Sequence, residues 1–264
     1  MSQTEWIYGI HSVASVLKSQ PQRLLRIYVQ QGRQDDRVQK LLDGAQRENI
    51  EIMREPRKQL DQLAADGNHQ GIIAECRPGE QYDEDFLDTL AERHGSALFV
   101  LVLDGVTDPH NLGACMRTAE AAGVQAVVVP RDNSASMTST VRKVAAGAAD
   151  LVPLVVVTNL SRAIKQLQQH GVWVIGAAGE ATETLYQAKL KTPMALVMGA
   201  EGSGMRRLTK ENCDELIAIP MLGETSSLNV SVATGVCLFE VVRQNQKPAQ
   251  QIQKKRTNPP KNKS

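Results

Sequence analysis

Aromatic residues are few in this 264-residue chain: two Trp, four Tyr and three Phe, about 3 %. Single-stranded nucleic acid is gripped by rows of aromatic rings on which bases stack, and these scattered rings form no such platform. Cysteine is also scarce. Cys76, Cys115, Cys213 and Cys237 make no C-x-x-C pair, and none has a histidine at zinc-ligand spacing, so no metal is expected and the thiols read as reduced and mostly buried. No apolar run approaches the roughly 18 residues that a membrane span needs. The first eight residues are polar with one acid, unlike a signal peptide. The expectation is a soluble, cytoplasmic protein with no membrane partner.

Net charge of one sign is missing too. The formal charge is +1, yet all six charged residues from Asn245 onward are basic (Lys247, Lys254, Lys255, Arg256, Lys261, Lys263), which leaves 24 basic against 29 acidic residues in the body. A globally basic nucleic-acid surface is therefore absent, and any RNA contact by the body must be a local patch.

What is present is a 42 % hydrophobic content, arranged as alternating strand and helix patterns that place the chain in the α/β class. Residues 1–76 read as a small α/β unit: Ile10, Val13, Val16 and Leu17 at helical spacing, strands at 24–30 and 71–76, and between them an amphipathic helix at 35–49 and a short strand "IEIM". Residues 77–96, with Pro78, Gly79, four acids and a short polar helix, read as a linker. Over 97–244, apolar strands at 98–103, 125–129, 151–157, 172–177, 194–199 and 215–220 alternate with helical stretches at 111–122, 138–148, 160–169 and 230–244. Strands apolar on both faces imply a parallel sheet covered on both sides, and such sheets bind ligands beyond the carboxyl ends of their strands. Residues 245–264, with three prolines, read as a disordered basic tail.

Three polar clusters sit at those strand ends. In "DGVTDPHNLGACMRTAEAAG" (104–123), Pro109 turns the chain and a helix begins near Asn111, which suits an N-cap. Arg117 follows six residues later on a helix of small and apolar residues. It is either an ordinary surface arginine or one aimed at an anion such as RNA phosphate. In "LVMGAEGSGM" (196–205), Gly199, Gly202 and Gly204 permit positive φ and close backbone approach. The order G-x-x-G-x-G without a following Lys-Ser/Thr is neither a P-loop nor a dinucleotide fingerprint, and Glu201 inside the loop favours a ligand over a bare turn. In "IAIPMLGETSSLNVSVATGVCLFEVV" (217–242), Ser226, Ser227, Asn229 and Ser231 crowd a helix start. One of them caps it, and the others are spare for a polar ligand.

In order and spacing, these clusters resemble the three motifs of the SpoU branch of the SPOUT (TrmH-type) RNA methyltransferases, over about half the chain. "YGIHSVASVL" and "HQGIIAE" are similar to the substrate-binding domain of one subgroup of that family, which modifies guanosine in large-subunit rRNA. The resemblance implies a SPOUT catalytic domain with a C-terminal trefoil knot, preceded by an L30e-like RNA-binding domain. It implies a homodimer, structured rRNA as partner, S-adenosyl-L-methionine as cofactor and S-adenosyl-L-homocysteine as product. Carried over, the cofactor rests on Gly199, Ala200, Glu201, Gly202, Ile219, Pro220, Met221, Leu228 and Asn229, while Asn111, Arg117, Glu201, Ser227 and Asn229 form the polar active site. His110, His11, Arg33, Arg37, Arg54 and His69 are RNA-surface candidates, each also readable as an ordinary solvated side chain. Two other readings stand beside this one: a tRNA ribose methyltransferase, and a ribosome-assembly factor that binds RNA without catalysis.

The chemistry sets its own demands. Displacement at a sulfonium methyl releases a neutral thioether, so the difficulty lies in the weakly acidic ribose hydroxyl, which must be aligned and helped to lose its proton. Arginine, with a pKa above about 12, is a poor base. It is better suited to clamping phosphate and stabilising a developing alkoxide.

Overall fold

The small unit is assembled from short strands separated by helices whose apolar residues recur every three or four positions. In this computed structural model, which describes residues 4–33, 35–64 and 69–246, they are β1 (Glu5–Tyr8), α1 (Ile10–Ser19), β2 (Leu24–Gln30), α2 (Asp36–Arg47), β3 (Glu51–Glu55), α3 (Arg57–Ala64) and β4 (Ile72–Cys76). The basic tail expected at 245–264 lies, from residue 247, outside the described residues. α2 starts where the Asp35 carboxylate accepts the Val38 N–H at 3.0 Å. Its Val38, Leu41, Leu42 and Ala45 then share one face and pack with Val13 and Val16 of α1 and Ile27 and Val29 of β2. The strand order is β1-β4-β2-β3, with β4 antiparallel to both neighbours and β2 parallel to β3. On the other face, Leu60 and Ala64 of α3 meet Ile73, Trp6, Tyr8 and Tyr28.

The second sheet follows from the doubly buried apolar strands. Its elements are α4 (Phe86–His94), β5 (Phe99–Asp104), α5 (Pro109–Ala122), β6 (Ala126–Pro130), α6 (Ser139–Ala145), β7 (Leu154–Val157), α7 (Leu160–Gln169), β8 (Trp173–Ala177), β9 (Glu183–Thr184), β10 (Met194–Gly199), α8 (Arg207–Glu211), β11 (Glu215–Ala218) and α9 (Val230–Asn245). All pairings are parallel, in the order β7-β6-β5-β10-β8-β11-β9. Helices cover both faces, as the unbroken burial of β5 and β6 requires. Leu112, Met116 and Ala119 of α5 pack with Val141 of α6 and Cys237, Leu238 and Val241 of α9 on one side. Leu87 and Leu90 of α4 pack with Leu160, Ile164 and Leu167 of α7 on the other.

Strands β5, β6 and β7 step outward in one direction, after which β8, β10 and β11 fill the opposite half, with β10 returning to lie against β5. The order reverses there, and the loops leaving β5, β10 and β11 gather at one edge of the sheet.

The stretch 77–96 differs from the linker expected of it. Its Pro-Gly start is extended, but Tyr82 bridges to Val155 of β7, and α4 buries Leu87, Leu90 and Ala91 in the large core. Those three residues recur at i, i+3, i+4, an apolar stripe that the surrounding acids obscure. Glu84 is held down to a pKa of about 2, first by the Thr158 hydroxyl, then by the Thr158 N–H and Arg162. From Tyr82 onward the segment is part of the large unit.

A compact ionic group joins the small unit to α6. Arg142 reaches Glu5 at 2.5 Å and Asp150 at 2.7 Å, and Arg23 reaches Glu5 at 2.9 Å. The Ser15 hydroxyl donates to the Gly147 carbonyl at 3.1 Å. Burial pushes the Asp150 carboxyl up, against the two arginines that favour its ionised form.

Helix α5 lies so close to α6 that a Cβ at Gly113 would sit 2.8 Å from the Val141 carbonyl oxygen and from Val144 Cβ. Gly113→Ala should therefore lower stability by about 1–3 kcal/mol through overpacking, seen as a reduced urea midpoint at unchanged m-value. An unchanged midpoint would show that the two helices separate freely.

Candidate active site

The first wall of the site is the start of α5. Asp108 caps the helix by accepting the His110 N–H at 2.9 Å, and Pro109 occupies the first helical position. There its fixed φ fits and its missing N–H costs nothing. The helix thus begins two residues earlier than expected from Asn111. That corrects the N-cap reading: Asn111 lies inside the first turn, and its side chain is released from capping.

The second wall is the loop after β10. Ala200 and Gly204 exchange backbone hydrogen bonds, N–H to O, at 3.1 and 2.9 Å, so the chain folds straight back on itself. Closure brings the backbone of Gly204 and Met205 over Gly199, where a Cβ would lie 2.2 Å from Gly204 C and Met205 N. Gly202 and Gly204 take the positive φ that the glycine pattern anticipates. Glu201 stands exposed at the tip.

The third wall is the irregular segment between β11 and α9. Asn229 caps α9: its Oδ1 accepts the Ser231 N–H at 3.0 Å and the Ser231 hydroxyl at 2.6 Å. Its Nδ2 donates to Asn111 Oδ1 at 3.0 Å and Glu201 Oε2 at 3.3 Å. Asn111 Nδ2 donates to the same Glu201 oxygen at 3.4 Å. Three residues separated by up to 118 positions in sequence close a triangle of hydrogen bonds.

The remaining site residues fall around it. Arg117 is exposed on α5. Ile219 packs against the core below the loop, Pro220 and Met221 are exposed after β11, Leu228 is half-buried, and Ser227 is exposed two residues before the cap. No hydrogen bond ties Ser227 to Asn111 or Glu201 among the described residues.

Of the RNA-surface candidates, His110, His11, Arg37 and Arg54 are exposed. Arg33 is half-buried and paired through Nε with Asp35 at 2.5 Å. His69 is a correction. It is buried, its Nδ1 accepts the Gly71 N–H at 2.9 Å and its Nε2 meets Asp61 at 2.8 Å, so one ring nitrogen is committed to the turn before β4 and the other to α3. The cysteines are unpaired, and burial pushes the thiols of Cys76, Cys213 and Cys237 up to about 12 and Cys115 to about 11, which leaves them without nucleophilic thiolate. Among the described residues no group of three His, Cys, Asp or Glu side chains could hold a metal ion.

Sequence reading treats Asp104 as a strand end and misses its role. It is 1 % exposed at the end of β5 and accepts two hydrogen bonds from Arg206, from the backbone N–H at 2.8 Å and from Nε at 2.6 Å. It thereby pins the exit of the Glu201 loop. The available signal was an acid ending an otherwise apolar buried strand.

These features define a doubly covered parallel sheet whose carboxyl edge carries three interlocked loops. The chain belongs to the SpoU rRNA methylase family: that family's model matches residues 98–239, and a model described as RNA 2′-O ribose methyltransferase substrate binding matches residues 6–82. It is 58 % identical over 240 residues to the 23S rRNA (guanosine-2′-O-)-methyltransferase RlmB of Vibrio vulnificus, covering 91 % of this chain and 97 % of that protein. Its fold matches a crystal structure of an RNA 2′-O ribose methyltransferase, with a TM-score of 0.75 and 26 % identity, over 92 % of this chain and 89 % of the other. It also matches the SpoU methyltransferase AviRb from Streptomyces viridochromogenes in complex with the cofactor AdoMet, with a TM-score of 0.74 and 19 % identity, over 91 % and 90 % of the two chains.

Closure of the 199–204 loop depends on the absent side chain at Gly199. Gly199→Ala should cost roughly 1–3 kcal/mol locally, or about 5- to 150-fold in the opening equilibrium. Hydrogen exchange should read this as lost protection at the Ala200 and Gly204 amides. Equal protection in both proteins would refute the closure argument.

Proposed function

We propose that this protein transfers the methyl group of S-adenosyl-L-methionine to the ribose 2′-hydroxyl of a guanosine in 23S rRNA, releasing S-adenosyl-L-homocysteine. The observation that carries the reading is near-full-length identity to a curated enzyme of that activity, in a chain whose three loops meet in the Asn111–Glu201–Asn229 triangle. Identity to enzymes of 23S rRNA supports rRNA over tRNA, and the intact triangle supports catalysis over RNA binding alone.

The residues present fit the cofactor. Among the described residues, no backbone group of 221–228 has a backbone hydrogen-bond partner, so this segment has neutral donors and acceptors to offer an adenine and an amino-acid end. Gly199, Ala200, Glu201, Gly202, Ile219, Pro220, Met221, Leu228 and Asn229 would hold it. When bound, the sulfonium supplies an activated methyl group and a neutral leaving group.

The chain's own residues supply alignment and charge. Asn229, fixed by its cap, and Glu201, fixed by two amide donors, offer polar edges that orient a ribose. Ser227 adds a hydroxyl. Arg117, exposed and permanently charged, holds a phosphate and stabilises the alkoxide as the hydroxyl proton passes to solvent water. In this reading residues 1–76 are an L30e-like RNA-holding unit, 77–81 connect it, and 82–244 form the catalytic unit, whose C-terminal segment is threaded as a trefoil knot. The return of α9 across the sheet to α5 supports that threading. The protein works in the cytoplasm, where ribosomal RNA is matured, and no described helix is long and apolar enough to cross a membrane.

A homodimer is part of the same reading. Val232 and Phe239 of α9 are 52 % and 49 % exposed, and with Val236 they form one stripe at i, i+4, i+7, an uncovered apolar face beside α5.

Arg117→Ala should reduce kcat by about 100- to 1000-fold and leave the cofactor Kd within about twofold, measured by methyl transfer to unmodified 23S rRNA and by calorimetry. Retained turnover would defeat the assignment. Separately, Phe239→Glu should shift sedimentation from dimer to monomer, and a dimer that survives this change would move the interface elsewhere.

A further inference from the structure

Along the carboxyl ends of β6 and β7 lies a cleft of about 440 Å³ lined by Pro130, Asp132, Thr158, Asn159, Arg206 and Arg207, among others. Asp132 is the one carboxylate on its wall against two guanidinium groups. Both guanidinium groups are charge-paired, Arg206 with Asp104 and Arg207 with Glu211, so the cleft can hold an anion only through directed hydrogen bonds and not through an excess of positive charge.

Arg206 is held in an unusual way. Its backbone N–H and its Nε both bond to Asp104, whose side chain is fully buried, while the Arg206 side chain is 53 % exposed. The terminal nitrogens make no hydrogen bond among the described residues. Anchoring an arginine through Nε fixes the guanidinium plane and leaves its two outer N–H edges to a ligand. A fixed fork loses little entropy on gripping a planar or tetrahedral oxyanion with two parallel bonds. The buried Asp104 carboxylate needs a cationic partner as well as the backbone N–H, and the Nε side of Arg206 supplies it. The second bond, to Nε, sets the direction of the charge.

We propose that Arg206, oriented by Asp104, binds a backbone phosphate of the substrate RNA in this cleft, at the exit of the Glu201 loop. This rests on the RNA methyltransferase reading above. The cleft adjoins the Glu201 loop through Arg206 itself, two residues beyond the loop's closing Gly204. Arg207, paired with Glu211 at 2.7 Å and more exposed, contributes less.

The test uses the full-length protein and deproteinised 23S rRNA lacking ribose methylation. Arg206→Gln should raise the KM for RNA about tenfold and reduce the slope of log binding constant against log salt by about 0.7–0.9, the signature of one lost phosphate contact. The cofactor Kd should stay within about twofold. Arg206→Lys should keep the salt slope but raise the RNA KM by about three- to tenfold, because a single ammonium cannot grip bidentately. An unchanged RNA KM in either folded variant would overturn the contact. So would an unchanged salt slope in Arg206→Gln together with weakened cofactor binding, which would mark Arg206 as a loop anchor only. Should Arg206→Gln not fold, the Arg206→Lys result decides alone. A wild-type protein that methylates no RNA would refute the activity itself, an outcome separate from these.

Discussion

Asn229 uses both ends of one amide. Its carbonyl oxygen starts helix α9 by accepting from Ser231, and its amide nitrogen bonds to Asn111 and Glu201. Because an amide is planar, the cap sets where the nitrogen points. The site is therefore aligned by the same interaction that begins the last helix. Everything around it serves to bring three partners within reach. β5 and β10 are adjacent and in register, α9 packs on α5, and the Gly199 loop closes tightly enough to lift Glu201 rather than let it trail. Replacing the asparagine by aspartate would keep the cap and lose the donor, placing two carboxylates face to face. The amide meets both demands.

The two carboxylates near this edge have opposite environments. Asp104 is buried and saturated by the N–H and Nε of Arg206. A buried carboxylate is tolerated only when such partners are supplied, and losing one strands the charge. Glu201 is exposed and receives long bonds from two neutral amides. One acid is committed to architecture, and the other remains available to a hydroxyl or an amine. The pairing of β10 with β5 sets the first beneath the second, so the buried acid steadies the loop that carries the exposed one.

Much of this was legible in the sequence, for a physical reason. Strands buried on both faces must be apolar throughout, so the strand at 194–199 and the amphipathic helix at 160–169 are found at their observed bounds. The glycine pattern after β10 announced a tight loop, and the crowd of serines and asparagine before α9 announced a cap. What escaped were elements whose pattern is too short or too polar. α3 buries only Leu60 and Ala64 among eight residues, β1 has four residues, and β9 has two. The apolar stripe of α4 was hidden among acids, so the segment read as a linker. Asn111 was misplaced because capping chemistry fits Asp108 as well, and proline at the first helical position decides between them. His69 looked like a surface group because its partners, Asp61 and the Gly71 N–H, are set by a turn that periodicity does not describe.

Acidic excess over the body poses the remaining question of how such a chain grips a polyanion. A diffuse basic surface would give affinity without register, because phosphate attraction alone is indifferent to sequence and position. A few arginines held in fixed directions do the reverse. They add modest affinity but define where one backbone segment must lie, and the surrounding acids penalise other placements. Methyl transfer to one ribose requires that selectivity, since misalignment by about 1 Å can cost roughly a hundredfold in rate. The ionic group of Arg23, Glu5, Arg142 and Asp150 extends the same logic to the small unit. Its charges are matched internally, so it contributes no net attraction to RNA. Its directional, part-buried bonds tie the small unit to α6 without adding to the field that RNA meets.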